Sequence, residues 1–511
     1  MESRVKNFIN LIAAFVAFST NVIINFFITP FIVERVGVAA YGYVAMANDF
    51  VAYISLITLA LNTMSSRFIT IAIHKNDRIL ANEYYSSIIG SNVFVSIFLF
   101  ISSTPIILFL DNIIKIPADL ILDVKLLFFV STVNFLLTVL LSTYAVCYII
   151  RNELYLSSLV QIKGNLLRLI LLLILFGFFN AHVFYIAIGT LVSTILVKVY
   201  DVFYQKKLVP ELQFSLRNFH WDKCKIVLSS GIWSSVTRLG NILSGNLDLL
   251  LVNVFLSPVD MGLLAITKIA PNFLTTFTGI MAGVCMPTFL ELFARGEHDM
   301  LVDNIISSMK TFSLILGIPL IILISLGKQF FALWIPQQDS MQLYILSILS
   351  LIAIIIIGPV ALMHNIFTVV NRLKVNSLLV VFTGLLNTFF GVLILKNTDW
   401  GIYGLVSLAA GLSLMRNLLY TVPVGALYLG KPVKTFFPVL LQSSLTVIIS
   451  GFILHLIFSL IDISTWPQFF GYAIISMIAL IITQLVFLFS RQERNVLLHS
   501  VSNKVQKVFR Q

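Results

Sequence analysis

NFINLIAAFVAFSTNVIINFFITPFIV, residues 7–33, contains no charged residue. A bilayer hydrocarbon core about 30 Å thick takes roughly 20 apolar residues of helix to cross, and this stretch exceeds that. It is too long for a signal peptide and has no small-residue cleavage site, so it reads as a first span rather than a leader. Comparable runs recur at approximately 39–63, 86–110, 122–148, 155–178, 184–204, 226–254, 260–290, 311–334, 342–368, 375–396, 402–427, 436–461 and 470–490. The 511-residue chain is 59% hydrophobic and only 11% charged, whereas a soluble domain carries about a quarter charged residues. The expected fold is an all-α polytopic membrane protein of about 14 transmembrane helices, with no room for a separate soluble domain.

The net charge of +11 points to topology rather than nucleic acid. With these spans, 22 of the 33 Lys and Arg residues fall in one set of loops, from Arg4 and Lys6 to Lys507 and Arg510. The opposite loops hold only Arg35 and Lys115, with Lys125, Lys328 and Lys396 near span ends. Basic residues accumulate on the cytoplasmic side, so both termini are expected in the cytoplasm. A missed helix would invert every later loop, so the bias supports the span count too. The external loops are too short to build a catalytic site.

The longest basic-side connector, QKKLVPELQFSLRNFHWDKCK (205–225), mixes basic and aromatic residues. It suits a segment lying on an anionic leaflet, at the place where a hinge between two lobes would sit. A shift of 220 residues puts Asn21 on Asn241, Gly42 on Gly262 and Ala45 on Ala265; a shift of 221 puts ILANEYYSS (79–87) on MLVDNIISS (300–308). We therefore expect a duplication of about six spans, two parallel pseudo-symmetric six-helix lobes. The expected division is an N-lobe at 1–204, the amphipathic connector at 205–225, a C-lobe at 226–427, and two further helices with a basic tail at 428–511.

Ionisable groups inside the hydrocarbon layer are costly and face a cavity or a partner. Lys198 and Asp201, three residues apart near the basic end of the sixth span, read as a pair, and Lys163 as snorkelling. Arg238 lies near the middle of the seventh span. At 100° per residue, Ser234, Arg238, Asn241, Gly245 and Asp248 share an arc of about 80°. Either this face lines a wet cavity or Arg238 is satisfied by a carboxylate from another helix. Lys268, Asn272 and Thr275 repeat the pattern in the eighth span, where a Lys268–Asp248 pair is the competing reading. Arg168 and Arg416 sit near mid-depth in the fifth and twelfth spans, and Asp49 lies at nearly the depth of Asp248. Cations outnumber carboxylates within the membrane, which suits a path for an anion. His364 and His455 are isolated and read as packing residues. Prolines such as Pro271, Pro319, Pro359 and Pro423 permit kinks.

No GxxxxGK[ST] loop is present, so ATP hydrolysis by this chain is not expected. Cys147, Cys224 and Cys285 have no metal or disulfide spacing, no HExxH occurs, and no metal or cofactor is expected. No large external loop carries paired acids, so the chain does not read as an enzyme.

PFIVERVGVAAYGYVAMANDFVAYISLITLALNTMSSRF (30–68), GIWSSVTRLGNILSGNLDLLLVNVFLSPVDMGLLAITKIAPNF (231–273) and GIYGLVSLA (401–409) resemble polysaccharide repeat-unit (O-antigen) flippases of the multidrug/oligosaccharidyl-lipid/polysaccharide (MOP) exporter superfamily. With the span count and polarity, the resemblance covers essentially the whole chain. It implies two six-helix lobes in a V around a cavity and alternating access. It further implies movement of undecaprenyl-pyrophosphate-linked oligosaccharides to the outer leaflet of a bacterial inner membrane, for polysaccharide, O-antigen and lipopolysaccharide biosynthesis. The implied partners are the lipid-linked oligosaccharide, membrane lipids and a polysaccharide polymerase or other assembly proteins, with no nucleic acid. Arg238, Lys268, Arg416 and Arg168, with Asn21, Asn25, Asn241 and Asn272, are the expected substrate-binding residues; Asp49 and Asp248 are the expected ion-coupling acids. Lipid II flippases of this superfamily carry an arginine–aspartate cluster in the first span, where this chain has Ser19, Thr20, Asn21 and Asn25. A cation- or proton-coupled multidrug exporter is the alternative; the uncharged first span argues against it and Asp248 for it.

Overall fold

The computed structural model describes residues 2–491, 493 and 494; the last basic residues, Lys504, Lys507 and Arg510, lie outside them. Among the described residues there is helix but no strand, and 13 helices have the length and hydropathy of a bilayer span. Spans 1 to 6 are Glu2–Val36, Val38–His74, Arg78–Leu108, Ile121–Leu140, Leu154–Phe178 and Tyr185–Leu208. Span 4 runs on through short helical turns at Ser142–Ala145 and Val146–Ile150. Span 7 is divided into Trp221–Asn241, a π turn at Ile242–Asn246, and Asp248–Phe255. It is the one expected crossing outside those 13: Trp221–Asn241 is long enough, at 21 residues, but its serines, Asn241 and Arg238 make it too polar. Span 8 is Pro258–Thr267 followed by Ile269–Ala294, and spans 9, 10 and 11 are His298–Trp334, Ser340–Val369 and Leu373–Asn397. Span 12 also contains a π turn, with Gly401–Arg416, Asn417–Thr421 and Val422–Tyr428 in succession. Spans 13 and 14 are Phe437–Phe458 and Trp466–Phe487.

Helix suits this chain because hydrocarbon offers no partner to a free backbone amide, and a helix satisfies its own. Large apolar side chains point outward, as with Phe178, Phe94 and Leu460, the surface expected of a protein whose solvent is lipid.

One turn recurs at the basic ends. Spans 2, 4, 8, 10 and 12 each stop at, or within one turn of, a single left-handed residue: Asn76, Asn152, Gly296, Asn371 and Gly430. At each, the following amide bonds back across the last turn, for example Asp77 N to Ala72 O at 3.1 Å and Arg372 N to Phe367 O at 2.8 Å. The left-handed residue's own amide bonds inside that loop, which is the Schellman arrangement. Asn76 and Gly296 are 220 residues apart (296 − 76), and Asn152 and Asn371 are 219 apart (371 − 152). The first equals the 220-residue offset of the sequence repeat and the second falls one residue short of it.

Contacts group the chain into two compact units, residues up to Ile266 with Val380–Gly401, and Thr267–Leu379 with Ile402 onward. The connector 205–225 therefore lies inside the first unit. In that unit Gly42 and Gly262, which the repeat superposes, meet backbone to backbone: a Cβ on Gly42 would stand 2.9 Å from the Gly262 Cα. Span 2 also crosses span 7 closely, and a Cβ on Gly231 would lie 2.3 Å from the Ala60 carbonyl oxygen. In the second unit, one core joins Phe312, Leu316 and Leu320 of span 9 to Leu440, Val447, Leu454, Phe469 and Leu480 of spans 13 and 14. These last two helices, expected as an appendix, are part of that unit's core.

Candidate functional site

One polar group of the first unit gathers on the π turn of span 7. A π turn adds a residue to the helix and leaves carbonyl groups without their usual amide partners; here Leu247 N bonds to Ile242 O at 3.1 Å. Span 11 takes up the freed carbonyls. Thr388 Oγ1 donates to Leu243 O at 3.0 Å, and Asn387 Nδ2 donates to Ser244 O at 3.3 Å. Span 11 comes this close because both backbones carry glycine: a Cβ on Gly384 would stand 2.6 Å from Gly240 O. Span 2 closes the other side, with Tyr53 OH donating to Asn246 O at 2.7 Å and Asn246 Nδ2 donating to Asp49 Oδ1. Asp248, 3% exposed, lies one residue beyond the π turn, and Asn387 Nδ2 approaches its Oδ1 at 3.5 Å. The two expected coupling acids thus stand in one nest of amides, hydroxyls and carbonyl oxygens built by spans 2, 7 and 11.

The polar stripe expected along span 7 assumed an uninterrupted α-helix. The π turn splits it. An extra residue rotates the part of the helix after the turn by about 100°, so Asp248 is buried among protein groups while Arg238 is half-buried and Asn241 exposed. Among the described residues, no side-chain hydrogen bond or ion pair engages the Arg238 guanidinium, so the structure holds no carboxylate partner for it within the first unit.

A second group joins spans 1, 2 and 5. Arg168 Nη2 donates to Asn25 Oδ1 at 3.5 Å, and Asn25 Nδ2 donates to Asn21 Oδ1 at 2.6 Å. Tyr41 of span 2 faces both Thr29 and Arg168. Arg168 Nε is buried and carries no hydrogen bond. No carboxylate comes within ion-pair distance of Arg168 among the described residues.

In the second unit Arg416 is the last residue before the π turn of span 12. His364 of span 10, read from sequence as packing, lies against Arg416 and Asn417. Asn417 is fully buried and donates to Ser413 O at 2.8 Å, and Tyr420 stacks on Phe367 with ring centroids 5.9 Å apart. Lys268 is half-buried at the break in span 8, and Asn272 one turn on is exposed.

Lys198 and Asp201 pair at 2.9 Å, with Tyr148 OH donating to Asp201 at 3.1 Å; Lys163 stands 5.0 Å from the Tyr200 ring centroid. That cluster is internally satisfied. Among the described residues no group of three or more His, Cys, Asp or Glu side chains is placed to hold a metal. Tyr41, Tyr53, Asn246, Asn387 and Thr388 escaped the sequence reading, which took uncharged polar residues only in the first span or on a face shared with a charge. Their signal was the uncharged amide or hydroxyl in an otherwise apolar helix.

No protein-family profile matches the chain. A Bacillus subtilis (strain 168) protein, described as the uncharacterized membrane protein EpsK, is 25% identical over 491 residues, 96% of this chain and 97% of that protein. Two solved structures share the fold at low identity. An inward-facing multidrug resistance MATE family transporter of the MOP superfamily aligns at a TM-score of 0.65 and 14% identity, over 81% of this chain and 94% of that one. The lipid II flippase MurJ, in an inward closed conformation, aligns at 0.68 and 16% identity, over 93% and 98%. The fold is that of MOP superfamily transporters.

Proposed function

We propose that this chain moves undecaprenyl-pyrophosphate-linked oligosaccharides from the cytoplasmic to the outer leaflet of a bacterial inner membrane by alternating access, with both termini in the cytoplasm. The observation that carries the reading is the state of Arg168 and Arg238. Each is an intramembrane guanidinium with no carboxylate partner among the described residues, and an uncompensated charge at that depth calls for a counter-ion. A pyrophosphate diester supplies one and also accepts the forked N–H donors of Arg. Within the first unit Asn21, Asn25 and Asn241 add polar groups for the sugars, and Lys268, Asn272 and Arg416 are the proposed ligands of the second unit. The lipid tail stays in the bilayer. Two negative charges moving outward down an inside-negative potential gain about 2.3 kcal/mol each per 100 mV.

The extent of the fold match adds support. The flippase structure matches 93% of this chain and the MATE transporter 81%. The duplication, 1–204 and 226–427 with 428–511 following, is the proposed origin of the two lobes, although contacts keep 226–266 and 380–401 with the first of them. Asp49 and Asp248 couple movement to a cation or proton through the amide nest. The cargo serves polysaccharide or O-antigen assembly, handed on to a polymerase.

Depleting the protein and identifying the lipid-linked sugar held on the inner leaflet tests the cargo. Accumulation of such a lipid is expected, and its absence would refute the reading. The second reading, a cation-coupled multidrug exporter, rests on the buried Asp248. It predicts instead that cells lacking the protein become susceptible to lipophilic cations.

A further inference from the structure

The connector between spans 6 and 7 is a strap bound to span 3. Asn82, Glu83, Ser86 and Ser87 share one face of span 3, and the strap bonds along it. Gln213 N donates to Asn82 Oδ1 at 2.7 Å, Ser215 N to Ser86 Oγ at 3.1 Å and His220 N to Ser87 Oγ at 2.9 Å. Asn82 Nδ2 donates in return to Glu211 O at 3.0 Å, and Lys223 pairs with Glu83 at 3.0 Å. Gln205 at the end of span 6 donates to Leu212 O at 2.8 Å. Phe219 lies over Gly90, where a Cβ would stand 2.7 Å from the ring. So many directional bonds leave little freedom for a hinge.

With its backbone turned to span 3, the strap presents other side chains outward. Phe214 is exposed, Leu216 is 78% exposed and Trp221 53%. Arg217, Lys206 and Lys207 are exposed too, and no side-chain hydrogen bond or ion pair engages them among the described residues. Lys225 has only a 3.9 Å approach to Asp222. From Lys206 to Lys225 the chain carries five cations and two carboxylates. Exposed apolar rings and a leucine beside unengaged cations match the boundary between acyl chains and phosphate headgroups.

We infer that this strap is an anchor for anionic phospholipid: Leu216, Phe214 and Trp221 enter the acyl boundary while Arg217, Lys225, Lys206 and Lys207 hold headgroup phosphates. The anchor sets the depth of spans 3 and 7, to which the strap is bound. It is independent of the cargo, so its test involves no transport.

The full-length protein is reconstituted in phosphatidylcholine vesicles containing a brominated lipid, either phosphatidylcholine or phosphatidylglycerol. Subtracting the fluorescence of a Trp221→Phe variant isolates Trp221. Shallow bromines are expected to quench it, and brominated phosphatidylglycerol more strongly. Each cation that reaches the phosphates contributes about a fivefold preference, which falls with salt. Arg217→Gln with Lys225→Gln, both exposed substitutions that leave the strap's bonds intact, should lower the preference about 25-fold, fivefold for each cation removed, and keep the quenching. Absence of quenching would mean that the strap stands off the leaflet or meets another partner. Equal quenching by both lipids would mean an apolar contact without anion recognition. Either result overturns the inference.

Discussion

Guanidinium groups without acids, and acids surrounded by amides, are the residues on which the proposed transport depends. A hydrogen bond to a charged group contributes about 1.5–3 kcal/mol, so Arg238→Ala should lower affinity for the lipid-linked substrate by about tenfold to a hundredfold. Protein level should be unaffected, since Arg238 bonds to no described side chain. Polymer export in cells, normalised to protein, checks this. Arg168→Ala should behave similarly, with a modest loss of stability from the broken Asn25 contact. Asp248→Asn removes the charge in the amide nest and should abolish any dependence of transport on an imposed sodium or proton gradient. Transport that still followed the gradient would place coupling elsewhere. Asn387→Ala should lower thermal stability in detergent by about 0.6–1.7 kcal/mol for each carbonyl bond lost. The charges in these groups were legible from sequence because a charge in an apolar run is rare. Asn387 was not, since its partners are carbonyls that exist as acceptors only because span 7 widens.

At the scale of elements, hydropathy is blind to helical register. It located span 7 over 226–254 but put Asp248 on the Arg238 face, because nothing in ILSGN (242–246) announces a π turn. Deleting Gly245 should restore the α register and turn the part of the span beyond it by about 100°. Asp248 would then leave Asn387, and the variant should insert normally but lose ion coupling; retained coupling would show that the π turn is incidental. The basic-side turns were better marked, since Asn and Gly are the residues that tolerate the left-handed region. At Asn152, φ 53°, replacement by Gly should be tolerated, whereas Val should cost about 1–2 kcal/mol in a thermal unfolding measurement. The connector read correctly as basic and aromatic. Its bonds to span 3 were invisible, because a serine on a helix does not disclose which loop will donate to it.

At the scale of the whole molecule, span count and all-helical class followed from composition, since lipid permits few alternatives to helix. The duplication was faint in the sequence and clearer in the backbone, where left-handed turns recur at 220 and 219 residues. Spans 13 and 14 show the opposite case. Nothing in two more apolar helices revealed that Leu440, Val447 and Leu480 complete a core with span 9. Ending the chain after Gly430 should therefore destabilise the second unit rather than trim an accessory, measurable as lost protein in the membrane.

The central claim is that intramembrane arginines carry a lipid pyrophosphate across the bilayer. It is tested most directly with purified protein in vesicles loaded with undecaprenyl-pyrophosphate-linked oligosaccharide. A sugar-modifying enzyme on one side reports how fast the lipid arrives there. The account predicts arrival with the wild-type protein and a loss of about tenfold or more with Arg238→Ala. Wild-type vesicles no faster than protein-free ones, or an Arg238→Ala protein as fast as wild type, would contradict it.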